Sequence, residues 1–170
     1  PAGSGKTTTL TWIAKELLHL AGSGSVMFAT PTHKSRKVLF HGLNLGFKVQ
    51  VVTTARLIGK STYVDFDLNP FEDPAYKEVI KKAQKFRTAE ETRCVRVIFF
   101  DESSMISQSD AFLLGAFCGE AGIKAYFVGD KHQLPPVKEK KQDNFDDKPD
   151  PDTPIAFGRM CKEFIEAEGQ

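Results

Sequence analysis

Two short stretches hold residue types at spacings that could do chemistry. The chain opens on PAGSGKT, and Asp101-Glu102 follows the apolar run VIFF. Gly3 and Gly5 flank Ser4, so the backbone N–H groups from Gly3 to Thr7 can wrap a phosphate where a helix begins. At this spacing Lys6 reaches the β- and γ-phosphates of a nucleotide, and the Thr7 hydroxyl holds Mg²⁺. The candidate nucleotide-binding set is Gly3, Ser4, Gly5, Lys6, Thr7 and Thr8. The full loop pattern has one more glycine, which would stand immediately ahead of Pro1.

The acidic pair supplies the other half of such a site. An apolar strand that ends in two carboxylates puts them at the carboxyl edge of a sheet, where ligands of open α/β folds bind. Asp101 would hold the Mg²⁺ through water, and Glu102 would polarise the water that attacks the γ-phosphate. An acidic pair after a strand also suits a solvated turn; its complementarity to the loop at Gly3–Thr7 favours the catalytic reading. A third stretch, VGDKHQLPPV, ends a strand at Gly129-Asp130 and presents Gln133 in a polar turn beside the same edge. Gln133 can bond the γ-phosphate or its attacking water, and Pro135 and Pro136 stiffen the exit.

Strands and helices must alternate to bring these groups together. KTTTLTWIAKELLHL (6–20) reads as a helix, with Leu10, Ile13, Leu17 and Leu20 at three- and four-residue steps. SVMFAT (25–30), FKVQVVTT (47–54), CVRVIFF (94–100) and IKAYFVG (123–129) read as buried strands. PTHKSRKVLFHGL, AFLLGAFCGEAG and IAFGRMCKEFIEAEG read as helices. The order predicts an α/β fold: a parallel sheet flanked by helices. Residues 62–93 break the order and read as an insertion. There TYVDFDL alternates like one arm of a hairpin, and Asp73-Pro74 starts a helix whose stripe is Tyr76, Val79, Ile80 and Ala83. Charged, proline-rich residues 138–154 read as a surface loop.

The 170 residues fit one domain with a small insertion, and the net charge of +1 leaves nucleic-acid binding open. Three distant cysteines, Cys94, Cys118 and Cys161, show no metal spacing or disulfide framework; they suggest a reducing, intracellular setting and small buried side chains. No apolar run reaches membrane-spanning length, so no membrane partner is expected. Trp12 and the phenylalanines are expected in the core.

The combination PAGSGKT, ATPTHKSRKVL, TTARLIG, DESSM and VGDKHQLPPV resembles the first RecA-like domain of superfamily 1 DNA helicases, nearest to the RecD-like and phage Dda-like branch. The resemblance covers nearly the whole chain. It implies a RecA-like P-loop ATPase domain over 1–170, with ATP and Mg²⁺ as cofactors and single-stranded DNA as partner. It also implies 5′–3′ movement and work in DNA replication, repair or recombination in a phage or bacterial-host cytoplasm. The nucleotide motifs carry over onto Gly3, Gly5, Lys6, Thr7, Asp101, Glu102, Asp130 and Gln133. The DNA-backbone contact after the first strand carries over onto Pro31, Thr32 and His33, beside Lys34, Arg36 and Lys37. A further strand-contacting motif falls at Thr53, but the usual Thr-x-His is absent, since Thr54 and Ala55 follow. Insertion 62–93 sits where these helicases carry a small subdomain, often with a wedge-like hairpin that splits the duplex.

The same resemblance places an upstream strand with an adenine-reading glutamine ahead of Pro1. It places a second RecA-like domain with the completing arginines beyond Gln170, so these residues alone are expected to be inactive. Two alternatives stand at this stage: a superfamily 1 RNA helicase of viral or decay-factor type, and a non-catalytic P-loop module.

Overall fold

The computed structural model describes residues 5–45, 49–59 and 64–129. Its elements are α1 (Lys6–Ala21), β1 (Val26–Thr30), α2 (His33–Leu43), β2 (Gln50–Thr53), α3 (Thr54–Ile58), α4 (Pro74–Thr88), β3 (Val97–Phe100), a 3₁₀ turn (Ser103–Met105), α5 (Gln108–Ala121) and β4 (Lys124–Phe127). The four strands form one parallel sheet in the order β2-β1-β3-β4, with Phe28 level with Val51 on one side and Phe99 on the other. The expected α/β class and parallel sheet are therefore what the chain forms.

A parallel sheet needs both faces covered, because its crossovers lay helices on each. Successive side chains of a strand point to opposite faces, and here they feed two separate cores. Met27, Ala29, Val52, Ile98 and Phe100 pack with residues of α3, α4 and α5. Val26, Phe28, Val51, Val97 and Phe99 pack with Leu10 and Ala14 of α1 and Leu39 and Leu43 of α2. This explains why β1 and β3 are buried throughout and apolar at every position except Thr30, whose hydroxyl is satisfied by Thr32 O. It also puts the carboxyl ends of all four strands on one edge.

The expected helix starting at Asp73-Pro74 forms, with the Asp73 carboxylate accepting from Ala75 N at 2.8 Å. Val79 and Ala83 of its stripe are fully buried and join the α3–α5 core, as does Val64. The hairpin arm expected at TYVDFDL does not form where it is described: residues 64–68 run as coil and turn. An Asx turn stands in place of the strand, since Asp65 Oδ1 accepts from Asp67 N at 3.0 Å; just beyond it Asn69 Oδ1 accepts from Phe71 N at 3.2 Å. Short polar side chains of this kind capture backbone N–H groups that a ladder would otherwise use. The expected strand at 47–54 is trimmed to 50–53 in the described residues, because Thr54 already begins α3.

Five core expectations need correction. Trp12 is 65 % exposed on α1, Phe71 is 58 % exposed, Phe40 and Phe66 are also exposed, and Cys94 is exposed rather than buried. Trp12 lies off the stripe of Leu10 and Ala14 that faces the sheet. Phe71 instead packs edge-on against Tyr76 and Phe112 at the surface. The loop at 138–154, the closing helix and Cys161 lie outside the described residues.

Candidate nucleotide site

Gly5 starts the site. It is the N-cap of α1 with φ 75° and no side-chain cap, a left-handed conformation that glycine adopts without a Cβ penalty. Among the described residues a Cβ at Gly5 would meet no atom within 4 Å, and the backbone angle itself favours glycine there. The first turn of α1 has no acidic residue of its own to offset the positive end of its dipole. Thr7 is half-buried; its carbonyl accepts from Thr11 Oγ1 at 2.8 Å. Its methyl faces Gly42 of α2, where any Cβ would come within 3.0 Å. Thr8 is exposed and lines a cleft of about 390 Å³ between α1 and α2, with Thr11, Trp12, Lys15 and Gly42–Asn44. That cleft holds no acidic side chain and lies apart from the carboxylate pair.

The end of β3 supplies that pair. Asp101 N donates to Ala29 O at 2.9 Å, which continues the β1–β3 ladder one residue past the strand. Burial pushes the Asp101 carboxyl above the ordinary carboxylate range; the backbone N–H of Glu102 and the Lys6 ammonium pull the other way. The structure thus brings Lys6 into electrostatic reach of Asp101, across ninety-odd residues of sequence. Glu102 has φ 55° and ψ 38°, a left-handed conformation uncommon for a residue with a side chain. Met105 N bonds its carbonyl at 3.0 Å, and Ser103 N donates to Val128 O at 3.0 Å. These bonds fix the turn from both sides.

Thr7 offers a hydroxyl and Asp101 a carboxylate, the hard oxygen donors that suit Mg²⁺. A desolvated carboxylate beside a lysine is also a place where a cation would relieve a burial cost. No cluster of three or more His, Cys, Asp or Glu occurs among the described residues.

The nucleic-acid residues divide. His33 opens α2 and is exposed, as are Lys34 and Lys37. Thr32 is the N-cap, its hydroxyl accepting from Ser35 N at 3.1 Å, and Thr30 Oγ1 donates to Thr32 O at 3.1 Å. Pro31 is half-buried. Thr53 ends β2 at the turn into α3 and is only 7 % exposed. Gly3, Ser4, Asp130 and Gln133 lie outside the described residues.

Sequence reasoning passed over two buried hydroxyls, Ser103 and Ser104, and the two glycines with close neighbours, Gly42 and Gly129. The signal for the serines was their place directly after Glu102; no spacing rule marks either glycine.

Residues 1–144 match the family described as an AAA domain. An uncharacterized protein of Acanthamoeba polyphaga mimivirus is 28 % identical over 149 residues, which covers 81 % of this chain and 28 % of that protein. An uncharacterized protein of Methanocaldococcus jannaschii is 32 % identical over 138 residues, covering 81 % of this chain and 11 % of that protein. The chain thus spans little more than a quarter of the first relative and about a tenth of the second. Among solved structures, unliganded Pif1 from Bacteroides sp. superposes with TM-score 0.51 at 22 % identity, over 82 % of this chain and 28 % of that one. Pif1 helicase from Candida albicans superposes with TM-score 0.53 at 23 % identity, over 81 % and 29 %. At these identities the superpositions speak to fold, and they agree with the parallel sheet and its flanking helices. The chain belongs to the AAA domain family and carries the RecA-like α/β fold it shares with those Pif1 structures.

Proposed function

We propose that this chain is the first motor domain of an ATP-dependent 5′–3′ DNA helicase, which couples ATP hydrolysis to movement on single-stranded DNA. The observation that carries the reading is that Asp101-Glu102 follows β3 at the carboxyl edge of a RecA-like parallel sheet, with the Lys6 ammonium within electrostatic range of the Asp101 carboxyl. The helicase identity of the Candida albicans structure supports it from the side of the fold.

In this reading the backbone N–H groups of Gly3–Thr7 and the Lys6 ammonium hold the β- and γ-phosphates, with Ser4 and Thr8 flanking them. Thr7 and Asp101 would hold Mg²⁺, which when bound neutralises charge on the phosphate oxygens. Glu102 orients and polarises the attacking water, and its fixed turn aims the carboxylate. Asp130 and Gln133 report on the γ-phosphate. His33, with Lys34 and Lys37 beside it, offers an exposed cationic and aromatic contact for a strand's backbone, and Pro31 and Thr32 shape that corner. Residues 62–93 are the inserted subdomain beside the strand path. A second RecA-like domain in the full-length protein would supply the remaining arginines, and the few scattered cysteines suit a reducing cytoplasm.

The test is made on the full-length protein. Glu102→Gln is expected to keep nucleotide affinity within about threefold and to lower ATP turnover at least a hundredfold, the scale of a lost general base. Single-stranded DNA is expected to stimulate wild-type turnover more than RNA of the same length. Stimulation by RNA alone would move the protein to the RNA helicases. Absent turnover with intact binding in the wild type would make it a nucleotide-binding module.

A further inference from the structure

Ser103 and Ser104 are 3 % and 5 % exposed, and neither hydroxyl is hydrogen-bonded among the described residues. Buried hydroxyls are ordinarily satisfied, so two adjacent exceptions directly after Glu102 call for a cause. Ser103 Oγ lies against Gly129, two residues beyond the end of β4. A Cβ at Gly129 would overlap that oxygen and come within 3.0 Å of Ser104 N and 3.2 Å of Ser103 N. The three atoms nearest to such a Cβ all belong to the Ser103–Ser104 turn, and the φ of Gly129 is not left-handed. The backbone would therefore accept another residue; the contact with the turn does not.

The same turn is tied to β4 by hydrogen bonds. Val128 N donates to Phe100 O at 2.7 Å and Ser103 N donates to Val128 O at 3.0 Å, so the main chain bonds on both sides of Asp101-Glu102 run to one residue of the β4 exit. Glu102 stands between these two bonds in its left-handed conformation. A backbone held in a sparsely populated region persists only where its surroundings over-determine it. Here the surroundings are Val128 and Gly129.

We propose that Ser103 and Gly129 form a joint that sets the aim of Glu102, with Ser103 as a positioning residue and Gly129 as the gap it requires. A shift of the β4 exit then moves the carboxylate without touching the phosphate cradle on α1. The inference rests on the reading of Glu102 as the group that activates water.

The experiment measures steady-state ATP turnover and nucleotide affinity on the full-length protein. Gly129→Ala is expected to lower kcat at least tenfold while KM for ATP and the affinity for a fluorescent ATP analogue stay within about threefold, because it displaces the water-activating group and leaves the cradle intact. Removing the hydroxyl in Ser103→Ala/Gly129→Ala is expected to recover at least threefold of that loss. Ser103→Cys, which presses the same contact from the other side, is expected to show the same kcat loss without a change at residue 129. In a Glu102→Gln background, Gly129→Ala is expected to have no further effect, since residues acting as one unit are not additive. Wild-type kcat in both Gly129→Ala and Ser103→Cys would overturn the joint. So would a double variant no better than Gly129→Ala, or an additive loss in the Glu102→Gln background. Should Gly129→Ala fail to fold, Ser103→Cys carries the test by the same kcat and affinity criteria. If Glu102→Gln itself turned over normally, the reading of the base would fall, a result distinct from failure of the joint.

Discussion

Asp101 carries a burial cost. Its carboxyl pKa lies above the ordinary value of 3.8, chiefly through desolvation. The folded chain therefore binds that proton more tightly than the unfolded chain. As pH rises past the ordinary value, ionisation favours the unfolded state, and the full penalty is present above the folded-state pKa. Asp101→Asn removes the ionisation. It is expected to melt about 2 °C or more above the wild type at pH 7, with the gap closing as the pH falls below the ordinary carboxylate value. A pair of thermal melts at neutral and acidic pH decides this, and an unchanged or lower neutral melt would contradict it. The cysteines give a second prediction at the same scale. Burial pushes the Cys118 thiol to about 12, whereas Cys94 is exposed. In a Cys161→Ser background, a thiol-specific dye at pH 8 is expected to label Cys94 within minutes and Cys118 only on unfolding. Fast labelling of two thiols in the native protein would contradict the buried position of Cys118.

Among the elements, α4 owes its start to one side chain. Asp73 accepts from Ala75 N and Pro74 fills the first helical position, where a missing N–H costs nothing. Asp73→Ala is expected to cost about 1 kcal/mol, read from urea unfolding, with the slope of the transition unchanged. This helix was legible before any coordinates because its signals are local: a cap, a proline and a four-residue stripe. The four strands were legible for the same reason, as short apolar runs between turn residues. The false hairpin arm had a local signal too, but within the alternating TYVDFDL the Asp65 side chain bonds the backbone in a turn, as that of Asn69 does just beyond it. What the sequence could not disclose was distance between remote residues. Lys6 beside Asp101 was inferable from motif roles, but Ser103 against Gly129 and Thr7 against Gly42 depend on how elements stack. Trp12 has the residue type of a core position, but it lies off the stripe of α1 that faces the sheet.

For the whole molecule, the decisive property is that the sheet separates two cores. Phe28 is fully buried between β1, α1 and α2, and stacks on Phe99 with ring centroids 5.3 Å apart. Phe28→Ala is expected to destabilise the protein by about 3–5 kcal/mol. Phe71→Ala at the exposed aromatic cluster is expected to cost about 1 kcal/mol or less. Chemical denaturation of both variants ranks them, and a reversed order would contradict the division between core and surface. Because Val26, Phe28, Val97 and Phe99 face one core and Met27, Ala29, Ile98 and Phe100 the other, small repacking on one face leaves the other in place. The edge where the strands end stays fixed by both.

The turn at Asp101-Glu102 has a consequence for heredity. A desolvated carboxylate is followed there by a left-handed glutamate. Asparagine would ease the first position, and glycine or asparagine the second. A population of variants screened only for heat resistance would drift toward those replacements and lose the acidic pair. If the pair serves the proposed turnover, it endures in a lineage only while that turnover is under selection, which would make these two positions a record of whether the proposed motor is still in use.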